Sequence, residues 1–155
     1  MALQEADRLV IFGITGDLAK KMTLPSLYRL ERRGMLNVPV ITVAFDNWTH
    51  EQLINHARES IESVEGKIDE TVFTRLAERL SYVHGDFNDP KLYGKLKKAL
   101  KGSHAATFYL EVPPSLFVIV AQHLYNADLL HGDARVVFEK PFGTSYDTAV
   151  DLNRT

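Results

Sequence analysis

The sequence contains no cysteine, which removes any disulfide framework, thiolate nucleophile or thiolate metal site. It also lacks net charge of either sign: 18 basic side chains stand against 20 acidic ones, a formal −2. A protein whose main partner is nucleic acid would carry a basic stripe, so that class is excluded. No apolar run approaches the roughly 20 residues of a membrane span. Met1–Arg8 carries acidic residues in place of a basic-then-apolar leader, so secretion is not expected. No histidine–carboxylate spacing suggests a metal site, and there is no internal repeat, low-complexity tract or linker. What is present is a chain of 155 residues, 45% hydrophobic and 25% charged. These are ordinary values for one soluble, cytoplasmic domain able to bury a core.

The apolar pattern alternates between strand-like runs and helical stripes. Leu9-Val10-Ile11-Phe12 is a continuous apolar run ended by Gly13, as in a strand covered on both faces of a parallel sheet. Asp17 to Arg33 is rich in helix formers, with Pro25 inside it predicting a kink or a late regular start. Val38–Phe45 is a second buried strand. Thr49 opens the next helix with Gln52 at capping-box spacing, and Leu53, Ala57, Ile61 and Val64 form its apolar face. A helix over Asp69–Arg79, a weak strand at Ser81–His84, and a helix after Pro90 striped by Leu92, Leu96 and Leu100 follow. Ala105–Val112 and Arg135–Glu139 are strands, Ser115–Leu130 is a helix, and Thr144–Asn153 reads as the start of one more helix. Strands alternating with helices predict an α/β, doubly wound parallel sheet, and with the phosphate-binding turn described next the expected fold is Rossmann-like, with core strand order 3-2-1-4-5.

Between the first strand and the first helix stands Gly13-Ile14-Thr15-Gly16-Asp17-Leu18-Ala19. A phosphate-binding turn needs glycine where the chain bends and where backbone approaches a pyrophosphate, and a small residue where the helix packs on its strand. Gly13, Gly16 and Ala19 meet these needs, and Thr15 adds a hydroxyl donor. The helix start offers free N–H groups and a positive dipole end. The bland alternative is a tight turn with Asp17 as an N-cap. A mononucleotide P-loop is excluded, since no G-K-[ST] follows. Tyr93 and Lys97 fit a Y-x-x-x-K pattern by chance, both placed on the polar flank of the leucine-striped helix.

Three segments together carry a family resemblance. Phe12 through Lys21 (FGITGDLAKK) resembles the coenzyme fingerprint of the glucose-6-phosphate dehydrogenase family, Phe108–Pro114 (FYLEVPP) its strand-end segment, and Glu139–Gly143 its EKPFG motif. The resemblance covers essentially the whole chain but only about the N-terminal third of a family member. It therefore implies that residues 1–155 are a dinucleotide-binding domain, truncated before a substrate and dimerisation domain. The family oxidises glucose 6-phosphate to 6-phosphogluconolactone with hydride transfer to a nicotinamide coenzyme, usually NADP, and full-length members are homodimers or larger. Its general-base histidine lies in a downstream R-I-D-H-Y-L-G-K motif absent here, so no catalytic base is assigned and the chain is expected to bind coenzyme without turnover. The histidines at 50, 56, 84, 104, 123 and 131 are read as surface or core residues.

By the same resemblance the pyrophosphate loop is Gly13, Ile14, Thr15, Gly16, Asp17, Leu18, Ala19 and Lys20. Asp86 and Phe87, after the third strand, fall where the family places adenine, with a simple turn as the alternative. Pro113 and Phe117 match positions beside the nicotinamide, although an aromatic on a helix is ordinarily core. Lys140 matches a lysine that touches both sugar phosphate and coenzyme, at a strand end where open α/β sheets bind ligands. The resemblance also allows a cis Lys140–Pro141 bond, a form that X-Pro tolerates.

Two positions depart from the family pattern. Met22 stands where a third basic residue is usual. At the end of the second strand, where NADP-using members commonly read G-x-A-R-S, this chain has Val43-Ala44-Phe45-Asp46. An acidic residue there hydrogen-bonds the ribose 2′-OH of NAD and repels a 2′-phosphate, so Phe45 and Asp46 point to NAD being accepted or preferred. The competing classes are a stand-alone dinucleotide-binding redox sensor, and a structural fragment whose site needs a missing domain.

Overall fold

The computed structural model describes residues 6–138 and the backbone of 148–150. Strands β1 (Arg8–Phe12), β2 (Val40–Ala44), β3 (Leu80–His84), β4 (Ala106–Leu110) and β5 (Arg135–Phe138) run parallel in the expected order 3-2-1-4-5. A short β6 (Thr148–Val150) pairs antiparallel with β5, which corrects the helix expected from Thr144. The outer side of β5 presents unpaired N–H and C=O groups, and a Thr-Ala-Val segment with two β-branched residues satisfies some of them. The rest of that expected helix lies outside the described residues.

Alternation along the strands sorts side chains into two cores. Leu9 and Ile11 of β1 pack with α1 (Leu24–Arg32), α2 (His50–Glu65) and α3 (Glu70–Arg79) on one face. Val10 and Phe12 pack with α4 (Pro90–Ala99) and α5 (Phe117–Asn126) on the other. The helix leaving β1 thus covers one face and the helix leaving β4 the other. The loops after these adjacent strands part at the carboxyl edge of the sheet, opening the crevice in which such folds bind ligands.

Local signals set the helix ends. Thr49 caps α2 with both capping-box bonds present: its hydroxyl accepts from Gln52 N at 3.2 Å, and Gln52 Oε1 accepts from Thr49 N at 2.8 Å. Asp69 caps α3 and Asp89 caps α4 through their carboxylates. Glu31 is buried between α1 and α3, where Arg79 Nε donates to its Oε1 at 2.6 Å and Arg75 lies 3.7 Å from its Oε2. The pairing keeps a carboxylate in the interior that would otherwise be strongly unfavourable.

Three expectations need correction. Val64 is 47% exposed, so the buried face of α2 ends at Ile61. The helix placed at Ser115–Leu130 is shorter: a 3-10 turn at Pro114–Leu116 precedes α5, which ends at Asn126. Asp128, at φ 59°, turns the chain away just after it. Tyr93 is not on a polar flank but 1% exposed. Its ring stacks on Phe12 and His123, and its hydroxyl donates to the Phe87 carbonyl at 2.7 Å. A phenol so engaged is unavailable for chemistry, and burial pushes its pKa far up.

Candidate coenzyme site

β1 ends in a turn that only glycine permits. Gly13 has φ 93°, and a Cβ on it would lie 2.1 Å from the Glu111 carbonyl oxygen at the end of β4. Its N–H donates to the Val43 carbonyl at 2.8 Å, and its own carbonyl accepts from Gly16 N at 3.0 Å. The N–H groups of Thr15, Asp17, Leu18 and Ala19 make no hydrogen bond to any described residue. They form the amino end of a helix and leave a cluster of bare donors beside the crevice, the arrangement that holds anions. Asp17 makes no capping bond, while the tight turn of the bland alternative is present. Ala19 is fully buried and lets the helix lie close on the sheet.

After an α-type start at Asp17 and Leu18, with Lys20 N donating to the Gly16 carbonyl at 3.1 Å, the helix widens. Ala19–Thr23 is a π-turn, closed by Leu24 N donating to the Ala19 carbonyl, and regular α-helix starts only at Leu24. This is the late start that Pro25 predicts: proline has no N–H for a carbonyl one turn back, and its ring needs room there.

Beside the turn, the end of β2 presents Phe45, 68% exposed, and then Asp46. Thr15 Oγ1 donates to Asp46 Oδ1 at 2.7 Å, tying the glycine turn to the acidic residue. The Asp46 backbone carbonyl accepts from Trp48 N at 2.9 Å and from the Tyr82 hydroxyl of β3. Asp46 is therefore held at both main chain and side chain, while Oδ2 makes no hydrogen bond to any described residue and faces solvent.

The remaining expected positions are less convergent. Asp86 Oδ1 accepts from Asn88 N at 2.9 Å in a local turn, and Phe87 packs edge-on against Phe12 with ring centroids 5.6 Å apart. The pair thus shapes a turn and plugs the core beneath β1. Pro113 is exposed and leads into the 3-10 turn. Phe117 packs on Phe138 with centroids 4.7 Å apart and lines an apolar pocket of about 290 Å³ with Val118, Ala121 and Tyr125. Lys140 and the rest of Glu139–Gly143, including the Lys140–Pro141 bond, lie outside the described residues.

A sequence profile described as "Glucose-6-phosphate dehydrogenase, NAD binding domain" matches residues 10–155. The chain belongs to the glucose-6-phosphate dehydrogenase family. It is 51% identical over 148 residues to glucose-6-phosphate 1-dehydrogenase 1 of Mycobacterium tuberculosis, covering 96% of this chain and 31% of that protein. It is 35% identical over 153 residues to the glucose-6-phosphate 1-dehydrogenase of Dickeya dadantii, again covering 96% and 31%. Among solved structures, the Mycobacterium avium glucose-6-phosphate 1-dehydrogenase superposes with a TM-score of 0.84 at 53% identity, covering 89% of this chain and 30% of that one. A glucose-6-phosphate dehydrogenase in complex with glucose-6-phosphate superposes with a TM-score of 0.75 at 30% identity, covering 89% of this chain and 31% of that one. The chain spans 31% of the length of the curated relatives named here.

In the glucose-6-phosphate dehydrogenase family this region is the NAD binding domain, so its cofactor class is a nicotinamide dinucleotide. The turn fits that group. A Cβ at Gly13 has no room, whereas one at Gly16 would meet only the Gly13 carbonyl at 3.3 Å, so the Gly16 backbone is open to close approach by a phosphate. The bare N–H groups would take the pyrophosphate and Asp46 a ribose hydroxyl.

One group at the site was not singled out in the sequence. Glu111 follows β4, on the face covered by α1, and its Oε2 accepts from Thr23 Oγ1 of the π-turn at 2.5 Å. Its Oε1 is buried without a partner among the described residues. Burial pushes this carboxyl up to about 7, with the Thr23 bond pulling the other way. Being part of the FYLEVPP segment was the only signal, and nothing in that signal marks a titrating group.

Proposed function

We propose that residues 1–155 form the coenzyme-binding domain of a glucose-6-phosphate dehydrogenase, an enzyme that oxidises glucose 6-phosphate to 6-phosphogluconolactone. On its own the domain binds coenzyme without turnover, since the R-I-D-H-Y-L-G-K motif that carries the family's general-base histidine is absent from residues 1–155. The observation that carries this reading is the glycine turn, with its cluster of bare N–H groups and Asp46 tied to it through Thr15. When bound, the coenzyme supplies the hydride acceptor. The chain's own part is to seat the pyrophosphate on the turn and orient the adenosine ribose against Asp46. Lys140 contributes a hydrogen bond to substrate and coenzyme from the segment after β5.

Within this reading the preferred coenzyme is NAD. Asp46 cannot swing away from a 2′-substituent without breaking its bond to Thr15, and Phe45 offers no positive charge in compensation. A unit charge pair at 4 Å amounts to about 1 kcal/mol in water and about 4 near a protein surface, and about 1.4 kcal/mol is tenfold in affinity. Calorimetric titration with NAD and NADP should show NAD binding tighter by roughly ten- to a few hundredfold. The double variant Phe45→Arg with Asp46→Ser should narrow or invert that ratio. An NADP:NAD ratio that the double variant leaves unchanged would remove the specificity assignment, and binding of neither coenzyme would remove the reading itself.

A further inference from the structure

Phe45 is 68% exposed, and it is the one phenylalanine among the described residues left in solvent. Phe12, Phe73 and Phe108 are buried, and Phe87, Phe117 and Phe138 pack partly buried against the core on the α4 and α5 side. A single exposed apolar side chain needs no explanation by itself; its place is what distinguishes this one. It directly precedes Asp46, at the carboxyl end of β2, on the edge of the crevice where open α/β sheets bind ligands. Its backbone is held on both sides. The Ala44 carbonyl accepts from Gly85 N at 3.1 Å, and the Asp46 carbonyl accepts from Trp48 N at 2.9 Å and from the Tyr82 hydroxyl. Its ring lies beside that of His84, the β3 residue in register with Ala44, with centroids 6.4 Å apart and planes tilted by 55°. The Lys95 ammonium donates to the His84 carbonyl at 3.0 Å, which pins the end of β3 in turn. Neighbouring aromatics are engaged elsewhere: Phe87 turns in onto Phe12, and Trp48 and Tyr82 stack on each other.

We propose that Phe45 is the adenine platform of the coenzyme site: its exposed ring, flanked by His84, takes the flat face of the base whose ribose Asp46 holds. This rests on reading the glycine turn as the coenzyme seat. With the pyrophosphate on the turn after β1 and the ribose at the end of β2, the base continues along the sheet edge toward β3. Phe45 and His84 stand at those two strand ends. A ring with two side-chain torsions on a fixed backbone has little freedom to lose when a base covers it. The base brings a π-face of its own, and stacking withdraws apolar surface of both rings from water. The role that the sequence suggested for Phe87 thus passes to Phe45. Labour is also divided between two adjacent residues: Phe45 supplies affinity that is indifferent to a 2′-phosphate, and Asp46 supplies the discrimination against one.

The test is calorimetric titration of the full 155-residue chain with NAD and with ADP-ribose, which keeps the adenosine and the pyrophosphate but lacks the nicotinamide. Phe45→Ala should bind both about tenfold more weakly, the loss expected for a stacked base. Phe45→Trp should keep the wild-type affinity. Phe45→Leu, with bulk but no aromatic face, should fall most of the way to Phe45→Ala. The adenine H2 and H8 proton resonances should move upfield on binding to the wild type, as protons over an aromatic ring do, and Phe45→Ala should remove most of that shift. Because the side chain is exposed, urea unfolding midpoints should be alike in all of these proteins, so that weaker binding is not lost folding. Phe45→Ala or Phe45→Leu binding NAD with the wild-type affinity would overturn the proposal and leave the coenzyme reading in place. A loss confined to NAD would also overturn it, by placing Phe45 at the nicotinamide half, as would a loss matched by a lower unfolding midpoint. A wild type that binds neither ligand would overturn the coenzyme reading and this proposal with it.

Discussion

Replacing Gly13 with alanine is expected to destabilise the chain by about 3–5 kcal/mol, combining a strained backbone with an overpacked contact, and to abolish coenzyme binding. The Cβ would lie 2.1 Å from the Glu111 oxygen and 2.9 Å from its carbonyl carbon. Both are backbone atoms, held where Glu111 N donates to the Phe12 carbonyl at 2.9 Å, so no side chain can rotate out of the way. Relief requires the ends of β1 and β4 to part, which moves the turn that carries the bare N–H groups. Gly34 isolates the clash from the backbone strain: it has φ 69°, and a Cβ there would meet nothing within 4 Å. Gly34→Ala should cost only about 1 kcal/mol. Urea unfolding of both variants checks the difference, and equal losses at the two sites would show that the Glu111 contact carries no weight.

The second large effect concerns pH. Glu111 is pushed from 4.5 up to about 7, chiefly by burial. An acid whose folded pKa is raised binds more protons folded than unfolded between those two values. Stability therefore falls as pH rises from about 4.5 through about 7, and the loss is complete above that. Each tenfold change in proton affinity is worth about 1.4 kcal/mol, so the full loss is on the order of 3 kcal/mol. Glu111→Gln keeps an acceptor for the Thr23 hydroxyl and removes the ionisation. It should match the wild type near pH 4.5 and exceed it by about 2–3 kcal/mol at about pH 8.5. Urea unfolding at the two pH values is the measurement. Parallel stability profiles for the two proteins would mean that the carboxyl finds solvation in the crevice and ionises normally.

What the sequence disclosed, it disclosed through local chemistry. The capping box at Thr49, the late helix start before Pro25 and the bend at Gly13 each depend on a few neighbouring residues, and each stands as read. The parallel sheet followed from the βα alternation and the fixed hand of the crossovers, while its strand order followed from the dinucleotide-binding turn and the resemblance it belongs to. What stayed hidden depends on contacts between distant segments. Tyr93 is buried because Phe12 and His123 approach it from other elements, a fact absent from the leucine stripe beside it. The raised carboxyl of Glu111 arises from a strand end brought under a helical turn whose Thr23 lies 88 residues earlier in the chain. The Thr15–Asp46 bond is intermediate: both residues were singled out, but not that one would hold the other.

The π-turn also has a bearing on how this stretch tolerates changes in length. Ala19 and Leu24 are both fully buried although five positions apart, a spacing that would put them on different sides of a uniform α-helix. The wide turn rotates the helix back into phase, and the surplus residue emerges on the solvent side among Lys20, Lys21 and Met22. A one-residue deletion within those three would convert the π-turn to an α-turn and still present Ala19, Leu24, Leu27 and Tyr28 on one side. Elsewhere in the helix the same deletion would swing the whole buried stripe by about 100°. One-residue deletions near the glycine turn thus have one narrow place where the core would not register them.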